Sequence, residues 1–262
     1  MKRIFVLFLI MMLVCTGIAA AEDTQLRGYI KGQGYQYIHF GQYPYDRKGN
    51  VEPVLWRILE VKDGKALLLT EQIIDCRQVI DVTDEKAIKN YTYRRITHYT
   101  ESDLYTWLNT EALDTLLGDS VMRNALVPDE WGGKFFILSD EQFLNVDYGF
   151  TNDRWNEQKP RQATVTPYGK KRGVYESNEN GKASYWVNAI KEVEGYKLQL
   201  VGFDGHMSWG AYSRKNVGVR PSVQLDLAQL EVVSGTGTKK DPFVFEYTGM
   251  TDAAHVSGEE LE

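Results

Sequence analysis

The stretch from Val54 to Thr70 constrains the fold more than any other. Two apolar runs, Val54-Leu55-Trp56-Arg57-Ile58-Leu59-Glu60-Val61 and Ala66-Leu67-Leu68-Leu69-Thr70, flank Lys62-Asp63-Gly64-Lys65. Asp-Gly tolerates the positive φ angles of a tight primed turn, so the runs pair as an antiparallel hairpin. Short runs bounded by Gly, Asp and Asn recur at both ends of the chain and point to further strands. Residues 198–203, ahead of Asp204-Gly205, form one of them. Residues 217–225 form another, with Pro221 expected at an edge or a bulge because it has no N–H to give a ladder.

Helices are expected in the middle. Ser102 can cap a helix whose apolar positions Leu104, Trp107, Leu108 and, after a break near Asn109, Leu113, Leu116 and Leu117 recur every three or four residues. Ser139 with Gln142 is a capping-box pattern that opens a short helix through Leu144, directly after the apolar strand 135–138. Residues 145–183 turn polar and rich in Gly, Asn, Lys and Arg, which reads as long surface loops. No repeat of fixed period occurs, and a single domain over residues 22–248 is the expectation.

The first residues read as an address. Lys2 and Arg3 precede an apolar run from Ile4 to Val14, and Ala19-Ala20-Ala21 follows before Glu22-Asp23. This is the order of a secretory signal peptide, residues 1–21, whose apolar run is too short to span a bilayer. Leu13-Val14 ahead of Cys15 lacks the small residue of a lipidation site. The protein is therefore expected to be secreted or extracytoplasmic, without a transmembrane segment after cleavage. Residues 249–262 form an acidic tail without periodicity, expected to be disordered. The chain carries 30 Lys plus Arg against 36 Asp plus Glu, and loss of the leader deepens the acidic balance. That balance argues against nucleic acid as a partner, which needs a dense positive field. The leader also takes one of the 2 Cys, leaving Cys76 in an apolar setting where Cys packs as a small hydrophobe.

Several ordered segments resemble an uncharacterised bacterial domain, the domain of unknown function number 6273. They are Phe40-Gly41-Gln42-Tyr43-Pro44, Pro53-Val54-Leu55-Trp56-Arg57-Ile58-Leu59, Ser102-Asp103-Leu104-Tyr105-Thr106-Trp107-Leu108-Asn109, Phe136-Ile137-Leu138-Ser139, Arg161-Gln162-Ala163-Thr164, Tyr185-Trp186 and Gly218-Val219-Arg220-Pro221. The set spans residues 35–227. Through that domain the chain is similar to the C-type lectin-like group. The resemblance implies an α+β fold of small twisted antiparallel sheets, two or three short helices, and long loops that carry the ligand surface.

Aromatic residues make up 12% of the chain. Trp56 and Trp107 lie on apolar faces and are expected to be structural. Arg220, set among Val, Pro and Leu, is expected to be structural as well, buried and paired with an acid. Trp131, Trp155, Tyr168, Tyr175, Trp209 and Tyr212 fall in Gly-rich or charged surroundings, where little core is available to them. Flat rings beside polar groups suit a glycan or an extracellular protein. The candidate ligand-binding set is Trp155, Tyr168, His206, Trp209 and Tyr212, with residues 206–209 expected in a loop after the Asp204-Gly205 turn. No cofactor or metal is implied: Asn145, Asp147, Asn152, Asp153 and Asn156 are the only dense oxygen-bearing group, and Cys and His do not pair at zinc spacing. The leading expectation is a non-catalytic binding module. The alternatives are an extracellular hydrolase or modifying enzyme with paired carboxylates, and a structural or assembly protein of the cell envelope joined through an exposed Cys76.

Overall fold

The computed structural model describes residues 26–191 and 196–249. The expected leader, and the expected tail beyond Gly249, lie outside them. The hairpin forms as the sequence demands. Strands β1 (Tyr37–Pro44), β2 (Val51–Lys62) and β3 (Lys65–Thr70) follow one another, and Asp63 (φ 49°) and Gly64 (φ 69°) make the turn between β2 and β3. After them come β4 (Asp75–Cys76), β5 (Leu126–Val127), β6 (Phe135–Phe136), β7 (Tyr185–Ile190), β8 (Lys197–Val201) and β9 (Met207–Ala211). The chain ends in β10 (Gly218–Val219), β11 (Ser222–Asp226), β12 (Leu230–Ser234) and β13 (Phe243–Tyr247).

These strands build two sheets. The larger runs β12-β13-β1-β2-β3-β11-β5, with β6 also paired on β11; the smaller runs β4-β10-β7-β8-β9. The helices are short: α1 (Glu85–Asn90), α2 (Asp103–Trp107), α3 (Leu113–Leu117), α4 (Asp140–Phe143) and α5 (Pro167–Arg172). The class is α+β. It departs from the expected form in three ways: one sheet has eight strands, β1–β13 and β7–β10 pair in parallel, and the described residues hold five short α-helices.

Both faces of the central strands are covered. Ala66 and Leu68 of β3 join one core cluster with Trp56, Phe135 and Trp186, while Leu67 and Leu69 join a second with Phe143, Tyr185 and Val187. Period-two alternation sends neighbouring side chains to opposite faces. The unbroken run Ala66-Leu67-Leu68-Leu69 is thus the signature of a strand with no wet face.

Two expected elements resolve differently. Residues 217–225 are not one strand: β10 belongs to the smaller sheet and β11 to the larger, and the chain crosses between sheets at Arg220-Pro221. Proline has no ladder N–H to lose at such a crossing, and its carbonyl accepts the Thr70 N–H at 3.0 Å. Residues 145–183 are not merely surface loops. They contain α5, bridges Ile73↔Val165 and Ala163↔Ala183, and the buried side chains of Phe150, Arg161, Val165 and Val174.

Both expected helix starts hold. Ser102 accepts the Tyr105 N–H at 3.0 Å, and Ser139 and Gln142 form a reciprocal capping box. The break near Asn109 is a π-helical turn, Leu108–Ala112, between α2 and α3.

Candidate functional site

The structure scatters the expected ligand set. Trp155 is 69% exposed, at the tip of a loop whose Asp153 carboxylate accepts the N–H groups of Trp155 (2.9 Å) and Asn156 (3.2 Å). That loop docks on the turn before β9: Met207 N–H donates to Arg154 C=O at 2.8 Å, and Gln158 N–H to Asp204 C=O at 2.9 Å. Trp155 and His206 are brought to one region, where the His206 ring is hydrogen-bonded to the Asp204 carboxylate. Trp209 lies two residues beyond Met207 in β9, half-buried in a strand rather than carried on a loop. Tyr168 sits in α5, half-buried, its ring 6.0 Å from that of Tyr43. Tyr212 is removed from the set. It has no exposed surface, and its backbone closes the end of β9 by donating to Tyr196 C=O and accepting the Val79 N–H. A ring held there serves the core.

The expected structural residues are buried: Trp56 at 0%, Trp107 at 6% and Arg220 at 1% exposure. The partner expected for Arg220 is different. Its Nε donates to Thr70 C=O at 2.8 Å and its guanidinium reaches the Tyr185 hydroxyl at 3.3 Å, while the nearby Glu71 carboxylate takes its hydrogen bonds from Arg57 and Lys239. Carbonyls on the edge of β3 thus satisfy a fork that the sequence reading assigned to an acid. Cys76 is buried and its Sγ lies 3.1 Å from Lys215 C=O; burial first, and then Asp75, push the thiol up to about 12. A thiol so placed is unsuited to the intermolecular disulfide of an assembly protein.

The polar cleft with the richest chemistry involves residues that the sequence reading did not choose. It has a volume of ≈ 360 Å³ and lies where β2, β3, β6 and β11 of the larger sheet meet β7 and the start of α4. This is within the size range of small-ligand sites. Glu60, Asp129 and Glu130 supply three carboxylates to its walls, and Trp131, 47% exposed, supplies a ring. Asn188 and Gln224 add side-chain amides.

Local structure explains how these groups are held. Strands β5 and β6 both pair with β11, so the loop between them, residues 128–134, is pinned at each end. Within it Asp129 accepts the N–H groups of Trp131 (2.9 Å) and Gly133 (2.8 Å), the Asx-turn use of a short carboxylate. Gly132 has φ +88°, and a Cβ on Gly133 would fall 2.3 Å from the Tyr105 hydroxyl, so the loop closes tightly on that ring. The Tyr105 hydroxyl lies 3.2 Å from Asp129; burial and the Asp129 charge raise its pKa to about 12. Across the cleft the Tyr148 hydroxyl lies 3.1 Å from Glu60, and burial followed by the Glu60 charge raises its pKa to about 12 as well. Both phenols stay protonated at neutral pH and hold their carboxylates as donors.

Asp129-Glu130-Trp131-Gly132-Gly133 carried a legible signal: an Asx-turn acid, a ring and two glycines. Glu60, Asn188 and Gln224 carried none, because each lies on a different strand and meets the others only after the sheets assemble. Among the described residues no group of three or more His, Cys, Asp and Glu is placed to hold a metal ion, and no helix is long and apolar enough to cross a membrane. No family model, curated protein or solved structure matches the chain.

Proposed function

We propose that this protein is a secreted, non-catalytic binding module that recognises a glycan in the cleft beside Trp131. One observation carries the reading: an exposed Trp ring stands with three carboxylate residues and the amide residues Gln142, Asn188 and Gln224 around a ≈ 360 Å³ cleft. Sugars present an apolar C–H face and a rim of hydroxyls that both donate and accept. A flat ring suits the first, and amides with carboxylates suit the second. The resemblance of the ordered segments to the uncharacterised bacterial domain, and through it to the C-type lectin-like group, supports the same reading, as does the leader-like order of residues 1–21. The exposed Trp155, close to His206, offers a second and flatter surface.

Glycan-array screening of the chain without residues 1–21, followed by calorimetry, is the test. Trp131→Ala should weaken binding at least about tenfold, a loss of roughly 1.4 kcal/mol, with an unchanged circular dichroism spectrum. Trp155→Ala should leave it within about twofold, less than 0.5 kcal/mol. The opposite pattern would move the site to the Trp155 surface, and unchanged binding in both variants would reject either ring.

The three carboxylates also support a second reading, an extracellular glycoside hydrolase, since such enzymes act through paired acids. Release of new reducing ends from a bound oligosaccharide, lost in Glu60→Gln or Glu130→Gln, would establish it.

A further inference from the structure

We infer that the glycan is an extended chain bound along its length, reaching from the Trp131 cleft across one turn of backbone into a second hollow beside Tyr29. The inference rests on the reading that the Trp131 cleft binds a glycan, and it adds the form of the ligand: the interior of a linear oligomer rather than a single terminal sugar. The second hollow has a volume of ≈ 520 Å³, and Tyr29, Val146, Asp147, Phe150 and Asn152 are among its walls.

Local structure sets the two spaces side by side. A single 3-10 turn, Val146–Tyr148, separates them: Tyr148 lines the cleft, whereas Val146 and Asp147 line the hollow. Three residues at ~2.0 Å of rise each make that ridge roughly 6 Å long. Strand β2 anchors a wall residue of each space at neighbouring positions. The Tyr148 hydroxyl is bonded to Glu60 in the cleft, and Tyr29 N–H donates to the C=O of the preceding residue, Leu59, at 3.1 Å.

The ridge is held from the hollow's side as well. The Tyr35 hydroxyl donates to Tyr148 C=O at 2.8 Å, and its ring packs on Tyr29 with centroids 4.9 Å apart. Gly149, at φ +79°, ends the turn, and a Cβ there would lie 2.3 Å from the Tyr35 hydroxyl and 2.7 Å from the Tyr29 ring. Tyr29 is thus a fixed wall, which lowers the entropy lost when a ligand packs on it.

Both spaces offer the same pairing of groups. Trp131 stands with amides in one; Tyr29 stands with the Asn152 amide and the Asp147 carboxylate in the other. Asn152 is exposed, and its side chain makes no hydrogen bond among the described residues. A ring for the C–H face of a sugar, with donors and acceptors for its hydroxyls, therefore occurs twice. Between the two, Val146 is 56% exposed and gives the ridge an apolar surface for a sugar to cross. Either space alone has the size of a small-ligand site, so the pair offers more room than a terminal sugar fills. One chain engaging both gains affinity through the effective concentration of its second part.

Calorimetry on the chain without residues 1–21 tests this with three β-1,4-linked series: glucose, N-acetylglucosamine and xylose oligomers of two, four and six units. In the series that binds, affinity is expected to rise at least about tenfold from the shortest oligomer bound to the hexamer. Trp131→Ala should weaken every length. Tyr29→Ala and, at an exposed position, Asn152→Ala should each weaken the hexamer about threefold or more and leave the shortest oligomer unchanged, with unaltered circular dichroism. Affinity independent of length, yet lost in Trp131→Ala, would overturn the extended chain and leave the glycan reading standing. A rise with length that survives both Tyr29→Ala and Asn152→Ala would overturn the hollow as its path. Binding by none of the three series would also overturn the inference, and the glycan reading would then stand or fall on the array with Trp131→Ala alone.

Discussion

Arg161 brings a full charge to a site with no exposed surface and takes no carboxylate as its hydrogen-bond partner. Its Nε donates to Gly205 C=O at 2.8 Å, and its terminal nitrogens reach the carbonyls of Phe143, Thr151 and Asp153. One fork thus ties the end of α4, the Trp155 loop and the turn before β9 together. Methionine can fill much of the volume but leaves those carbonyls without donors, and each buried group abandoned in this way costs about 1–3 kcal/mol. Arg161→Met is expected to lose about 3–5 kcal/mol in urea unfolding. Loss below 1 kcal/mol would show that water replaces the guanidinium. Gly205 makes the same junction intolerant of a side chain, since a Cβ there would lie 2.0 Å from Gln158 C=O at φ +90°.

At the scale of elements, the π-helical turn between α2 and α3 has an evident use. Asn109, at its start, accepts the N–H groups of Lys134 (2.6 Å) and Phe135 (3.1 Å) and donates to the carbonyls of Tyr105 and Phe135, both at 3.0 Å. The amide stands in for a neighbouring strand beside β6, which is only two residues long. It therefore holds the downstream end of the Trp131 loop. Asn109→Ala should cost about 2–3 kcal/mol through the unpaired backbone groups, and Trp131 should quench more readily with acrylamide when the two other strongly exposed or half-buried indoles, Trp155 and Trp209, are replaced by Phe. An unaltered quenching constant would mean that the pairing of β5 and β6 on β11 suffices to hold the loop.

For the whole molecule, titrating groups set the pH range of stability. Cys76, Tyr105 and Tyr148 are each raised to about 12, and Tyr43 is raised beyond the ordinary tyrosine range by burial and by its 2.6 Å hydrogen bond to Asp75. A group raised in the folded state contributes stability that is complete below its unfolded pKa and fades as pH climbs to the folded one. Unfolded thiols and phenols titrate near ~8.5 and ~10, so stability should fall steadily from about pH 9 to about 12. Glu71 acts at the other end. Burial opposes its ionisation, but Arg57, Arg220 and Lys239 together hold it below the usual carboxylate range. Its contribution is complete above the unfolded value of ~4.3 and is lost as pH falls below it. Denaturation midpoints across pH should show a plateau between these limits; Glu71→Gln should lower the plateau and flatten its acid edge.

The hairpin, the capping box at Ser139, the Ser102 helix start and the burial of Trp56 and Trp107 were all determined by the sequence, because turn angles, caps and apolar period act between residues a few positions apart. Tertiary structure alone decided that Pro221 divides one apolar run between two sheets and that Tyr212 turns inward. It also decided that Arg220 finds carbonyls instead of an acid, and that Glu60, Asp129, Asn188 and Gln224 face a common space. Local chemistry favours a strand or a cap before the chain folds, whereas a cleft walled by distant strands exists only once their pairing has brought them together.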